Sequence, residues 1–215
     1  MKLPVLTSFI VFLFILQHHI KKGKKAQEQE ENAFWEREYS ANDVRKQSLD
    51  DLVFIPFQAE PFYPLTLLGA ESCPEFLAMN PEMKDILPRL LFLEEQKIVN
   101  LTKYTNTDLK FKYGVANLPL LTQYDTNYNE LITLLHNYGE LLAKSSYTKP
   151  ALTVLEYAIS IGTDIGGTYL LCAQIYRENN QASKLEQLKK EAEKISTSRK
   201  DSIVRKLQEF DPCNG

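Results

Sequence analysis

The stretch that decides the fold runs from Asn127 to Ile195: NYNELITLLHNYGELLAKSSYTKPALTVLEYAISIGTDIGGTYLLCAQIYRENNQASKLEQLKKEAEKI. Leu131, Leu135, Tyr138 and Leu142 recur at the three- and four-residue spacing of one helix face. The pattern breaks at Ser145–Lys149, and a second apolar series begins at Ala151. A third follows Gly166-Gly167 and a fourth follows Asn179-Asn180. The reading is two helical hairpins in tandem, with Ile203, Val204 and Leu207 forming a last, capping helix. Asp125 or Thr126 is placed to cap the first helix, because a side-chain oxygen there accepts a free backbone N–H. Pro150 fits the first turn of the second helix, Gly162 its end, and Asp164 the start of the third. Each hairpin alone leaves an apolar face in water, and stacking buries both.

Outward from this stretch the chain changes character. Thr105 to Asn127 is polar and aromatic, and Leu109, Phe111 and Tyr113 alternate with Lys110 and Lys112, a two-residue period that predicts a short strand-like or turn element. Between Pro81 and Tyr104 a helical period runs through Ile86, Leu90, Leu93, Ile98 and Leu101, while Leu65–Pro81 is rich in turn residues. Ser48 to Pro64 carries a β-branched and aromatic run, Leu52-Val53-Phe54-Ile55, broken by Pro56, Pro61 and Pro64. Proline suits neither an inner strand nor a helix interior. The expectation is an extended strap packed through Val53, Ile55, Phe57 and Phe62.

The N-terminus is different again. Leu3 to Leu16 (LPVLTSFIVFLFIL) has no charge, and Gln17-His18-His19-Ile20 extends it to a lysine cluster, Lys21, Lys22, Lys24 and Lys25. Leu3–Ile20 approaches the ~20 residues that span a bilayer, with the lysines snorkelling to the headgroups. The residues after Leu16 make a poor signal-peptide cleavage site, so the segment reads as an uncleaved single-pass anchor. The basic flank follows it, which places the bulk of the chain on the cytoplasmic side of the cell membrane. On that side the sequon Asn100-Leu101-Thr102 has no consequence. Ala26 to Lys46 then reads as a charged juxtamembrane helix, with Phe34, Trp35 and Tyr39 as a small aromatic patch that docks lightly or lies along the bilayer. The predicted organisation is therefore residues 1–20 anchor, 21–47 juxtamembrane helix, 48–126 strap and helix, and 127–210 helical hairpins: mainly α throughout.

Charge and composition exclude several classes. Residues 1–25 hold five lysines and no carboxylate, and the remaining 190 carry 20 basic and 28 acidic groups. A net of −8 argues against a nucleic-acid partner, which requires clustered Lys and Arg. Cys73, Cys172 and Cys213 are far apart and show no metal-ligand spacing with histidine. Cys172, on an apolar helix face, behaves as a small hydrophobe. There is no phosphate-binding G-x-x-x-x-G-K-[ST], no G-x-S-x-G and no H-E-x-x-H. His136 is the single histidine beyond the anchor, and Glu140, one turn along, reads as its surface neighbour and not as part of a catalytic pair. The reading is not an enzyme, with no cofactor and no metal.

Shifting the chain by 34 residues pairs Leu135 with Tyr169, Gly139 with Ala173, Leu142 with Tyr176 and Ala158 with Ala192. This spacing resembles the tetratricopeptide repeat, a 34-residue helix–turn–helix unit. Gly139, Ala151 and Ala158 stand where that family places small residues, whereas Leu135 replaces its usual Trp and Thr163 its closing Pro. The resemblance implies a concave face built from the first helix of each hairpin, with Thr133, His136, Glu140 and Lys144 in one unit and Leu170, Gln174 and Arg177 in the next as partner-binding positions. The whole chain is also similar to a family of small, uncharacterised membrane-anchored proteins of Gram-positive anaerobic bacteria, through Phe34–Lys46, Ser48–Leu52, Tyr104–Leu121 and Leu155–Ile165. That resemblance implies the architecture and no chemistry. The function expected is a membrane-tethered protein–protein interaction module or scaffold, held to lipid through residues 3–20. Two alternatives stand beside it: an accessory subunit or enzyme with a site in residues 105–127, and a structural homo-oligomer.

Overall fold

A computed structural model describes residues 3–210, with side chains from residue 16 on apart from those of residues 18 and 26. Its elements are helical, and no strand occurs among the described residues. The chain divides into two compact units: one joins residues 1–48 to 105–118, the other joins 49–104 to 119–215.

The first unit contains α1 (Leu3–Asn42), which covers both the proposed anchor and the juxtamembrane stretch as one 40-residue helix. Among the described residues no helix is long and apolar enough to cross a membrane. The apolar run on which the anchor expectation rests has its side chains, up to residue 15, outside the described residues. Phe34, Trp35 and Tyr39 are exposed and touch mainly one another, with ring centroids 5.4 and 6.2 Å apart along the helix.

The strand-like expectation for Leu109–Tyr113 is overturned: residues Asn106–Tyr113 form a helix, α4. Thr105 and Asp108 make a capping box, in which Asp108 N–H donates to Thr105 Oγ1 (3.2 Å) and Thr105 N–H donates to Asp108 Oδ2 (2.9 Å). This local chemistry outweighs the two-residue alternation, because Leu109 and Tyr113, four apart, are buried together on one face while Phe111 is exposed. The helix stops at Gly114, whose φ of +80° an L side chain rarely adopts. A Cβ there would also lie 2.3 Å from the Arg45 carbonyl oxygen. Close by, Gln47 N–H donates to Tyr113 O (3.0 Å), and Asn117 Nδ2 donates to both Tyr113 O and Gln47 O. Arg37 pairs with Asp108 at 2.6 Å, and Glu38 accepts from Lys110 and from Thr107 Oγ1.

The second unit begins with the strap. Ile55, Phe57 and Ala59 face inward at alternate positions, with Ile55 N–H donating to Ile98 O (2.9 Å). Val53, expected to pack, is 81% exposed although it shares the parity of Ile55, Phe57 and Ala59: the inward alternation does not reach back to it, and Leu52 is buried instead. Phe57 and Phe62 stack at 5.9 Å and both meet Tyr157, whose hydroxyl donates to Pro56 O (3.2 Å). The turn-rich stretch that follows is a helix, α2 (Pro64–Met79), interrupted at Gly69, and α3 (Met83–Glu94) buries Met83, Ile86, Leu90 and Leu93. Ile98 and Leu101 continue the burial of α3 but lie beyond it, in an irregular segment pinned to the next helix. Leu101 N–H donates to Asp125 Oδ1 (3.2 Å), and Asn127 Nδ2 donates to Lys97 O (3.0 Å).

That helix, α5 (Leu118–Lys144), starts a full nine residues before Asn127. Asp125 and Thr126 are therefore interior and cap nothing; Thr126 Oγ1 donates back to Thr122 O (2.8 Å). The earlier start follows from Pro119, which is preorganised for a first helical turn, and from Leu121 and Tyr124, which extend the buried face. Then come α6 (Thr148–Ser160), α7 (Gly166–Glu178), α8 (Ala182–Ala192) and α9 (Lys200–Gln208). Pro150 lies in the first turn of α6. After Ser160, Thr163 N–H bonds to Ala158 O and Gly162 takes φ +85°. Asp164 does not cap α7; its carboxylate pairs with Arg199 at 3.4 Å.

Three pairs of helix ends keep a fixed offset. Lys144 and Glu178 close α5 and α7, Thr148 and Ala182 open α6 and α8, and Gly166 and Lys200 open α7 and α9, each pair 34 residues apart. Ser146 and Asn180, at the same offset, are the two non-glycine residues with positive φ among the described residues. Buried residues obey it too: Leu135, Tyr169 and Ile203; Gly139, Ala173 and Leu207; Val154 and Leu188; Ala158 and Ala192. Cys73 and Cys172 are free and buried, and burial pushes the Cys172 thiol up to about 12.

Two variants test this packing. Gly114→Ala combines positive-φ strain with a backbone clash, and is expected to cost roughly 2 kcal/mol or more in chemical unfolding. Tyr138 is fully buried with a hydroxyl that has no hydrogen-bond partner among the described residues. Tyr138→Phe is expected to hold stability or raise it by about 1 kcal/mol, and a comparable loss in urea melts would contradict an unpaired hydroxyl.

Candidate functional site

Of the seven positions expected on the concave face, His136, Glu140 and Lys144 of α5 and Leu170 and Gln174 of α7 line one groove of about 490 Å³. Its apolar floor comes from Ala143, Leu171 and Ile175, Phe210 lines it from beyond α9, and Glu178 and Thr148 complete its lining. Thr133 does not line it: its Oγ1 donates to Asn129 O (2.7 Å), within its own helix. Arg177 is not part of the wall either, but its guanidinium lies 4.8 Å from the centroid of the Phe210 ring.

The chemistry of the groove is set by His136. Its Nδ1 is 3.2 Å from Thr168 Oγ1, and its ring occupies the space that a side chain on residue 167 would fill: a Cβ on Gly167 would come within 2.7 Å of the imidazole. Burial lowers the His136 pKa; Glu140 opposes that shift and Lys144 adds to it. The imidazole is therefore neutral at physiological pH. A threonine–histidine contact has the elements of a nucleophile and a base. Thr168, however, is fully buried, and no carboxylate is bonded to the imidazole, so a substrate has no access to that hydroxyl. Glu140 pairs instead with Lys144 at 3.2 Å, and Glu178 accepts from Gln174 Nε2 at 2.9 Å. These groups present donors, acceptors and an apolar floor at an open surface, which suits binding.

A second cavity, of about 360 Å³, lies between α6 and α8. There Tyr176 hydroxyl donates to Glu156 Oε1 (2.5 Å), and Lys184 Nζ approaches the same oxygen at 3.2 Å. Among the described residues no cluster of His, Cys, Asp and Glu is placed to hold a metal ion.

Within residues 105–127, Asp108 and Tyr113 have structural partners. Hydrogen bonds from Thr105, side chain then backbone, and the Arg37 guanidinium hold the Asp108 carboxyl down at about 2, well below the usual carboxylate range. Such a group is a poor proton acceptor. Tyr113 is buried, and its carbonyl receives two hydrogen bonds. The lysines expected at the membrane edge, Lys21, Lys22, Lys24 and Lys25, are exposed along α1.

Sequence reasoning missed Glu178 and Phe210. The signal for Glu178 was present, since the 34-residue offset that takes His136 to Leu170 and Glu140 to Gln174 takes Lys144 to Glu178 and not to Arg177. Phe210 follows the last helix and has no periodic signature. No family model, curated protein or solved structure matches this chain.

The lowered pKa of His136 carries a pH dependence. Unfolded, the imidazole takes up a proton near 6.5; folded, it does so only at lower pH. The stability it contributes is thus present above the unfolded value and is lost as pH falls through the folded one. Thermal melts of the native chain between about pH 7 and 5 are expected to fall more steeply than those of His136→Gln. Parallel slopes would remove the buried neutral histidine from the account.

Proposed function

We propose that the chain is a membrane-tethered protein–protein interaction module whose docking surface is the groove between α5 and α7. The observation that carries this is the convergence of His136, Glu140, Lys144, Leu170 and Gln174 on one concave surface. The constant 34-residue offset of helix ends and of buried residues supports reading α5–α9 as tetratricopeptide-like hairpins, with α9 in the place of a further first helix. On this reading each first helix offers its free face to an extended segment or a helix of the partner. The tether is Leu3–Ile20, crossing the bilayer once; Lys21–Lys25 lie against anionic headgroups on the cytoplasmic side, and the remainder of the chain is cytoplasmic. The helical backbone that runs unbroken from Leu3 into α1 supports a span continuous with the stalk that follows.

Site-specific photocrosslinking in membranes tests the groove. A benzophenone amino acid at Gln174 is expected to capture a distinct protein, and the same group at the exposed Gln187, between α6 and α8, is expected not to. Equal capture at both positions, or none at Gln174, removes the groove as the docking surface. Protease added to sealed inverted membranes is expected to digest residues beyond the lysine cluster; digestion from the outer face instead reverses the orientation.

A further inference from the structure

The groove already holds one side chain that belongs to neither of its walls. Phe210 stands two residues beyond the end of α9, and its backbone N–H bonds to Leu207 O at 3.2 Å. Its half-buried ring lines the cavity beside Leu170, Leu171 and Ile175. The guanidinium of Arg177 stacks over it at 4.8 Å. Two comparisons within the chain mark this placement as distinct. At the 34-residue offset, Phe210 corresponds to Tyr176 and Leu142, both buried as hairpin residues, with Tyr176 bonded to Glu156 of α6. The Phe210 ring lines the groove instead. Arg177 makes no ion pair among the described residues, and its guanidinium meets the Phe210 ring.

Resting on the docking reading above, we propose that the groove contains a subsite for an aromatic side chain, stacked on Arg177 and floored by Leu170, Leu171 and Ile175, and that Phe210 fills it in cis. The partner is a polypeptide that presents an aromatic residue and docks by displacing Phe210. A ring over a guanidinium gains from charge–quadrupole attraction and from burying its face, and the same terms serve a ring from any chain. The in-cis ring competes at an effective concentration set by its short tether to α9, so it lowers the apparent affinity for every aromatic ligand without abolishing binding.

The full-length chain in detergent micelles tests this with a defined probe: a fluorescein-labelled peptide spanning residues 204–210 of this sequence, ending in a C-terminal amide. Phe210→Ala is expected to bind the peptide at least tenfold more tightly than the native chain. Phe210→Leu, which keeps apolar packing at the end of α9 while removing the ring, is expected to gain affinity as well. The same peptide with its phenylalanine replaced by alanine is expected to lose binding, and Arg177→Gln added to Phe210→Ala is expected to weaken it severalfold. Equal affinity of native and Phe210→Leu chains, with matching thermal melts, overturns the plug. So does a native dimer that Phe210→Ala converts to monomer, since the ring in the subsite then comes from a second copy. Crosslinking at Gln174 separates this proposal from the one it rests on. Capture of one partner to the same extent in native and Phe210→Ala chains overturns the plug and leaves the docking groove standing, whereas capture in neither overturns both.

Discussion

The groove depends on one hydroxyl. Tyr128 of α5 donates to Gly162 O at 2.7 Å and accepts from Asn100 Nδ2 at 2.9 Å. This ties the turn after α6 to the centre of α5 and to the irregular segment after α3. One step further on, Tyr169 hydroxyl donates to Thr163 O at 3.1 Å, and Thr163 Oγ1 accepts from Ile165 N–H. The turn that launches α7 is thereby held by two buried tyrosines, one from each wall-forming helix. Burial raises the pKa of both phenols, so they remain donors across the physiological range. Apolar burial alone brings α5 and α7 together, but it is indifferent to sliding; directional bonds fix the register at which His136 meets Gly167 and Thr168.

Small residues make the same point sterically. Gly139 lies where a Cβ would fall 2.5 Å from Leu155 Cδ2, so α5 and α6 approach more closely than alanine allows. Gly167 lets the imidazole of His136 lie against the start of α7. Contact of this kind sets the distance between helix axes, and with it the width of the surface between α5 and α7.

How much of this was legible in the sequence follows from the range of the forces involved. The helices from α5 to α9 were legible because three- and four-residue periodicity is local and repeats, and the 34-residue offset led to five of the groove residues. The boundary of α5 was misplaced because Asp125 and Thr126 have cap chemistry whose use depends on a segment 24 residues away, where Leu101 N–H takes the Asp125 carboxylate. The helix α4 was missed through reliance on alternation over five residues, although Thr105 and Asp108 stood at capping-box spacing. Val53 shares the parity of Ile55 and Phe57 but lies outside, because the alternation breaks between Leu52 and Ile55, and a two-residue period carries no sign of where it starts. Phe210 could not be found at all, since its place depends on a tertiary contact with Arg177.

The unbroken helix of α1 has a consequence for reach. At about 1.5 Å per residue, 40 residues make a rod of roughly 60 Å. If Leu3–Ile20 is the tether proposed above, the part beyond Ile20 would be a standoff of some 30 Å. Under that proposal Phe34 and Trp35 would stand on the order of 20 Å above the headgroups, and the exposed aromatic patch would meet whatever else is held at that height.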